Sequence, residues 1–340
     1  MIPADFDYVA PDTLEDALRA LADGGEDAKV LAGGHSLIPL MKLRLASPSL
    51  LVDLRKVPGL SGIERTNGTW RVGAMTTHHA VNEGGLGLAS KVAGTIADQQ
   101  IRNCGTLGGT MAHGDPASDL PAVMMALEAT VTAMSPGGGS REIPATEFFT
   151  EFWETALEPH EIITEVHVPA LEGYGYAYEK FNRRQEDWAM VAVSVAIKVE
   201  SGACSDVRVG LTHMGTTPLR ATAVEEALRG QQLSPEAVGE AASHAADGTS
   251  PPSDLNASVE YKQHLARVLC QRALEQAVAL CVASPTSKPR SSARPTWPTG
   301  RWPPPSTSPS RSSSRCCSRA RRASARPRWP RRWPPRPARG

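Results

Sequence analysis

Two glycine clusters, each placed just ahead of a stretch with helical spacing, have the clearest chemical meaning in this chain. Gly33-Gly34-His35-Ser36 follows the apolar run Lys29-Val30-Leu31-Ala32 and leads into Leu37 to Leu45. About seventy residues later come Gly105, Gly108 and Gly109, then an Asp115-Pro116 turn and a second helix opening at Ser118 or Asp119 and running from Leu120 to Leu127. A glycine loop that feeds a helix presents backbone N–H groups and the positive end of the helix dipole, which suits a phosphate. Two such loops can grip one dinucleotide. Neither carries G-x-G-x-x-G or G-x-x-x-x-G-K-[ST], which disfavours an ordinary Rossmann or P-loop site. Taken singly, each cluster is more readily a tight turn than a ligand cradle. The repeated grammar of an N-cap and a first-turn proline, Ser36 with Pro39 and Ser118 or Asp119 with Pro121, tips the pair toward a ligand cradle.

Other reactive side chains form weaker patterns. His113 with Asp115 suggests half a metal site but lacks further ligands. His78-His79 reads as a surface pair, and His160, Glu161 and His167 do not make H-E-x-x-H. The six cysteines (Cys104, Cys204, Cys270, Cys281 and the adjacent Cys316-Cys317) have no C-x-x-C, zinc or iron–sulfur spacing. That sparse usage fits reduced thiols in a cytoplasmic protein.

The elements that must carry these residues follow from periodicity. Asp12-Thr13 opens a helix in which Leu14, Ala17, Leu18 and Leu21 share a face, and Gly24-Gly25 ends it. Strands are expected at Leu50–Leu54 and Trp70–Ala74, and a hairpin at Thr130–Met134 and Arg141–Ile143 around Pro136 to Gly139. After Pro169 the order changes to strands (Tyr174–Phe181, Met190–Val199, Val207–Thr212) followed by helices (Ala221–Arg229, Pro235–Ala246, Val259–Ala283). The fold class is therefore α+β, with regions 1–56, 57–172 and 173–283.

Net charge is zero, yet 15 of the 36 basic residues and none of the 36 acidic ones lie after position 283. The body is acidic, which argues against nucleic acid as a partner. The 284–340 segment is rich in Arg, Pro and Ser and lacks the residues of a core, so disorder is expected. Such a basic tail can be read as a contact for nucleic acid or an anionic surface, but the preferred reading is a GC-rich gene translated out of frame, whose commonest codons give this restricted alphabet, and Trp297, Trp302, Trp329 and Trp333 therefore receive no role. No membrane span or secretory signal is expected.

Ala32-Gly33-Gly34-His35-Ser36-Leu37, and Ile101-Arg102-Asn103 with Gly105 to Gly109 and Asp115-Pro116-Ala117-Ser118-Asp119-Leu120, resemble the two flavin motifs of the FAD-binding medium subunits of aerobic carbon monoxide dehydrogenases. The wider group is the flavin subunits and domains of xanthine dehydrogenase-type molybdenum hydroxylases, and the likeness spans about residues 1–283. It implies two N-terminal α/β subdomains of the PCMH/VAO type clasping non-covalent FAD, and a C-terminal three-stranded antiparallel sheet with helices. Leu31 and Ala32 to Leu37 would wrap the pyrophosphate, with Thr106, Gly108 and Gly109 on the other side and His113 and Asp119 contacting the cofactor. Lys180 would lie near the flavin ring, where a cation raises its potential, or else be a solvated lysine at a strand end. Ile163 and Trp188 match positions beside the flavin, although either reads also as core, and the apolar setting of Ile163 favours core.

The resemblance further implies a small 2Fe-2S subunit and a large molybdopterin subunit in a dimer of heterotrimers. Quinone, NAD or oxygen would be the electron acceptor, and no catalytic side chain would be needed on this chain. A self-contained flavin oxidase or reductase, with a covalent link at His35 or His113, and a non-enzymatic binding module are the competing readings.

Overall fold

The computed structural model describes residues 2–283, so the expectations for the 284–340 segment lie outside the described residues. In the first region, β1 (Asp7–Val9), α1 (Leu14–Asp23), β2 (Ala28–Leu31), α2 (Leu37–Leu43) and β3 (Leu50–Asp53) build a parallel sheet in the order β1-β3-β2. Thr13 caps α1 by accepting from Asp16 N at 3.1 Å. Ala17, Leu18 and Leu21, the expected face, are buried. Their core also takes in Val57, Leu60 and Ile162, so packing runs across residue 56.

The second region contains β4 (Ile63–Thr66), β5 (Thr69–Gly73), α3 (His78–Glu83), α4 (Leu88–Ala93), α5 (Gln99–Arg102), α6 (Leu107–His113) and α7 (Asp119–Ala126). After them come β6 (Thr130–Met134), β7 (Ser140–Pro144), α8 (Ala145–Phe148), the short pair β8 (Phe149–Glu151) and β9 (Glu154–Thr155), and β10 (Ile162–Pro169). An antiparallel sheet runs β4-β5-β10-β6-β7. The β6–β7 hairpin is as expected from its glycine turn. β10 was not anticipated, because its central position comes from pairing with both β5 and β6 and not from a local signal.

The third region is β11 (Tyr174–Phe181), β12 (Val191–Glu200), β13 (Ala203–Thr212), β14 (Leu219–Arg220), α9 (Thr222–Leu228), α10 (Pro235–Ser243) and α11 (Val259–Ala283). Its antiparallel sheet has four strands and not three, because the two-residue β14 adds to β13 beyond the chain reversal. α11 buries Leu265, Ala266, Leu269, Cys270, Ala273, Leu274, Ala277 and Val278, a helical stripe, in a core shared with this sheet.

α7 ties the second and third regions together. All eight of its residues are buried, as a helix packed on every side must be. It meets β13 at Gly210, where an added Cβ would strike the Ala122 carbonyl, with its carbon only 3.0 Å away. This close approach carries Asp119, at the start of α7, to the end of β11.

Candidate functional site

The two glycine clusters meet through their backbones. A Cβ on Gly33 would collide with Cys104 O and lie 2.8 Å from Gly105 Cα, so only glycine permits the contact. Gly34 has φ +75°, the left-handed conformation that turns the chain from β2 into α2. Among the described residues, the amides of Gly33 to Leu37 donate to no protein group, and the first partnered one is Ile38 N, donating to Gly34 O at 3.0 Å. These free donors form a set that an anion can satisfy. The expected cap is corrected here, since Ser36 has a helical backbone and its side chain makes no capping hydrogen bond. Leu31 is buried and packs with Met41 and Leu51, partly buried Leu37 joins them, and His35 is exposed.

The second cluster is also corrected, because Gly108 and Gly109 belong to helix α6 and not to a loop. Thr106 caps this helix, its Oγ1 accepting from Gly109 N at 3.1 Å. The segment 74–78 runs beside it. Gly108 N donates to Ala74 O at 2.8 Å, Leu107 N to Thr76 O at 3.0 Å and His78 N to Gly105 O at 2.9 Å. Gly108 has to be glycine, since its Cβ would sit 2.8 Å from Ala74 O, and Gly109 faces Ala32, whose Cβ would be 3.4 Å away.

His78 is not on the surface. Its ring lies against Gly105, it is 4% exposed, and among the described residues Nδ1 has no hydrogen-bond partner. Burial, assisted by the nearby His35, lowers its pKa to about 4, so the ring is neutral at ordinary pH. Sequence reasoning missed this residue. The signal was Thr77, whose hydroxyl accepts from Ala80 N at 3.2 Å and starts the helix that turns His78 inward.

Asp119 and Lys180 do come together, with a third residue that was not anticipated. Asp119 Oδ1 accepts from Tyr178 Oη at 2.6 Å and Oδ2 from Lys180 Nζ at 2.9 Å. The Lys180 side chain is only 9% exposed, so it is not a solvated strand-end lysine. Burial pushes the Asp119 pKa up while Lys180 and the two hydrogen bonds oppose it. Because both carboxylate oxygens accept, the hydrogen bonds select the ionised form. Burial and the Asp119 charge hold the Tyr178 phenol well above its usual range, which keeps it a donor.

The remaining expected residues are dispersed. His113 stacks on Trp153 with ring centroids 5.8 Å apart and lies 3.8 Å from Asp115, and burial lowers its pKa against the opposing pull of Asp115. Among the described residues no cluster of three or more potential ligands surrounds this pair or any other. Ile163 is a buried core residue in β10, at a bulge in the pairing with β6. Trp188 is 58% exposed and lines a cavity of about 620 Å³ with Arg183, Arg184, Asp187, Met190 and Asn256. None of these lining residues belongs to either glycine motif, and the link to the site is the chain itself, which leaves Lys180 and enters this loop.

Residues 4–171 match the FAD binding domain in molybdopterin dehydrogenase, and residues 176–277 match the CO dehydrogenase flavoprotein C-terminal domain. The chain belongs to the FAD-binding flavoprotein subunits of the molybdenum hydroxylases. It is 40% identical to the carbon monoxide dehydrogenase medium chain of Hydrogenophaga pseudoflava, over 83% of this chain and 100% of that one. It is 41% identical to subunit alpha of the 6-hydroxypseudooxynicotine dehydrogenase complex of Paenarthrobacter nicotinovorans, over 85% and 99%. The structure of carbon monoxide dehydrogenase from Hydrogenophaga pseudoflava lacking the Mo-pyranopterin moiety superposes with a TM-score of 0.80, covering 83% of this chain and 100% of that chain at 41% identity. FAD is thus the cofactor of this flavoprotein family member, and the glycine junction with its free amides fits an anionic dinucleotide. No helix among the described residues is long and apolar enough to cross a membrane.

Proposed function

We propose that this chain holds FAD between its two glycine motifs, takes electrons from 2Fe-2S clusters of a small partner subunit and delivers them to an external acceptor. The arrangement that carries this reading is the junction at Gly33 and Gly105, which joins two cofactor-facing backbones, together with the buried Lys180–Asp119 pair. In it, the amides of Gly33 to Leu37 bind the pyrophosphate and the α6 N-terminal turn at Thr106, Gly108 and Gly109 supports the other side. Lys180, fixed by Asp119 and Tyr178, presents a cation toward the ring, and Ile163, His113 and Trp188 border the cofactor. FAD supplies the carrier that accepts two electrons and releases them. The protein's part is to bind it, exclude water from one side and favour negative charge at the Lys180 edge.

The substrate-oxidising molybdopterin centre belongs, in this reading, to a large partner subunit. Two relatives of nearly equal identity are named for different substrates, carbon monoxide and 6-hydroxypseudooxynicotine, so likeness in this chain does not carry substrate choice. Regions 1–56 and 57–172 form the FAD clasp and 173–283 the C-terminal domain. The free cysteines Cys104, Cys204, Cys270 and Cys281 fit a reducing, cytoplasmic setting.

Purification from the native host tests the whole reading. FAD on this chain, with an iron–sulfur and a molybdenum polypeptide copurifying, is the expected result. Substrate turnover by the isolated flavin-loaded chain would overturn it.

A further inference from the structure

One residue, through its backbone and its ring, joins three segments. His213 follows β13 with φ +63°, a backbone conformation that few non-glycine residues adopt. Its amide donates to Pro116 O at 2.8 Å, inside the Asp115–Asp119 turn that opens α7. Its ring Nδ1 lies 2.9 Å from Ala189 O, in the loop that bears Trp188. A carbonyl only accepts, so Nδ1 carries the hydrogen and Nε2 offers a lone pair. That lone pair faces Lys262 Nζ at 3.4 Å.

Lys262 is fully buried on α11, and its other hydrogen bonds go to Pro252 O and Asp254 Oδ2, both at 2.7 Å. The ammonium therefore spends its three donors on three acceptors. With His213 neutral, every polar atom of the network is matched. Burial and Lys262 hold the ring in that form, against the opposing charges of Asp254 and Asp115.

We propose that His213 is a positioning residue for the flavin site, locking the Trp188 loop to the Asp115–Asp119 turn from behind. The inference rests on the reading above that the Trp188 loop borders the flavin. Lys180 and Asp119 hold the same two segments from the front, since α7 begins at Asp119 and the loop begins just after Lys180. The loop cannot shift relative to Asp119 without breaking a hydrogen bond on one side or the other.

The experiment uses the full chain loaded with FAD, reading visible circular dichroism of the bound flavin and its dissociation constant. H213A removes the donor to Ala189, and the expected result is an altered flavin dichroism and about tenfold weaker binding, the scale of one lost hydrogen bond. H213N keeps an amide donor near the Nδ1 position and tolerates positive φ, and it restores both signals. V278A, a core truncation on α11, lowers thermal stability with the flavin signals unchanged, which separates positioning from general loosening. Should H213A not fold, H213N is compared with H213Q, whose longer amide faces Lys262 and leaves Ala189 unpaired. Wild-type dichroism and affinity in folded H213A, or in H213Q where H213A does not fold, overturn the proposal, as do equal flavin changes in H213A and V278A. W188A separates the placement of the loop from the role of His213. If W188A leaves the flavin dichroism unchanged, the placement of the loop beside the flavin is wrong, whereas a changed W188A with an unchanged H213A condemns only the role of His213.

Discussion

In the proposed reading, the first glycine motif and the Asp119–Tyr178–Lys180 unit serve one cofactor by opposite means. At Gly33 and Gly34 the device is main-chain amides left free by a missing Cβ and a left-handed turn. At Asp119 the device is a buried charge whose partners arrive from β11, some sixty residues later in the chain. The first is a local device, written in consecutive residues. The second exists only because α7 packs on β13 at Gly210 and so reaches the strand that carries Lys180. A backbone device fails by steric collision, whereas a buried ion pair fails by leaving one charge without a partner.

The largest expected effect is at the backbone device. Gly33→Val with Gly34→Val should abolish FAD retention, because a side chain at 33 meets the Cys104–Gly105 backbone and one at 34 must adopt positive φ. Flavin absorbance after gel filtration, with far-ultraviolet dichroism to verify folding, measures it. Normal occupancy in the folded double variant would sink the assignment of the motif.

At the second region, Lys180→Met should lower stability by about 3 kcal/mol by stranding the Asp119 carboxylate. Adding Asp119→Asn should recover much of that loss, and the bound flavin's midpoint potential should fall in both variants. Denaturant melts of the singles and the double form the cycle. Strict additivity would mean that the pair is not coupled.

A third test concerns His78, which packs against Gly105. Its folded pKa of about 4 is below the usual 6.5, so the unfolded chain binds the extra proton first as pH falls. Its stabilisation is complete above pH 6.5 and is lost on descending to about 4, to a limit of about 3 kcal/mol. Asp119, whose pKa is raised, works in the opposite direction in acid. The test is therefore the difference between wild type and His78→Phe, whose stability should fall less steeply between pH 6.5 and 4. Parallel curves would remove His78 from this role.

The smallest effect is expected at Trp188. Trp188→Ala should change stability by less than about 0.5 kcal/mol, as befits an exposed side chain, yet alter the fluorescence of bound flavin. A large loss of stability would show that the loop packs more tightly than its exposure indicates.

Legibility followed the same division. The N-cap at Thr13, the β6–β7 hairpin, the helix α11 and the turn at Gly33-Gly34 were readable, since each depends on residues within a few positions of one another, whereas the helical placement of Gly108 and Gly109 was not. β10 and the inward turn of His78 were not, because pairing on both sides and packing against Gly105 decide them. Asp119 and Lys180 were picked out through their resemblance to family positions. Nothing in the spacing shows that they touch, or that Tyr178 completes the unit.

The sequence by itself therefore determined the glycine turn at Gly33-Gly34, much of the element order and the acidic character of the body, all consequences of local sterics, periodicity and composition. Only the tertiary structure decided that the two glycine clusters abut, that Lys180 is buried against Asp119, and that His213 binds the segments behind them. Those outcomes depend on which distant atoms share one small, water-poor volume, and there hydrogen-bond matching, not propensity, selects the arrangement.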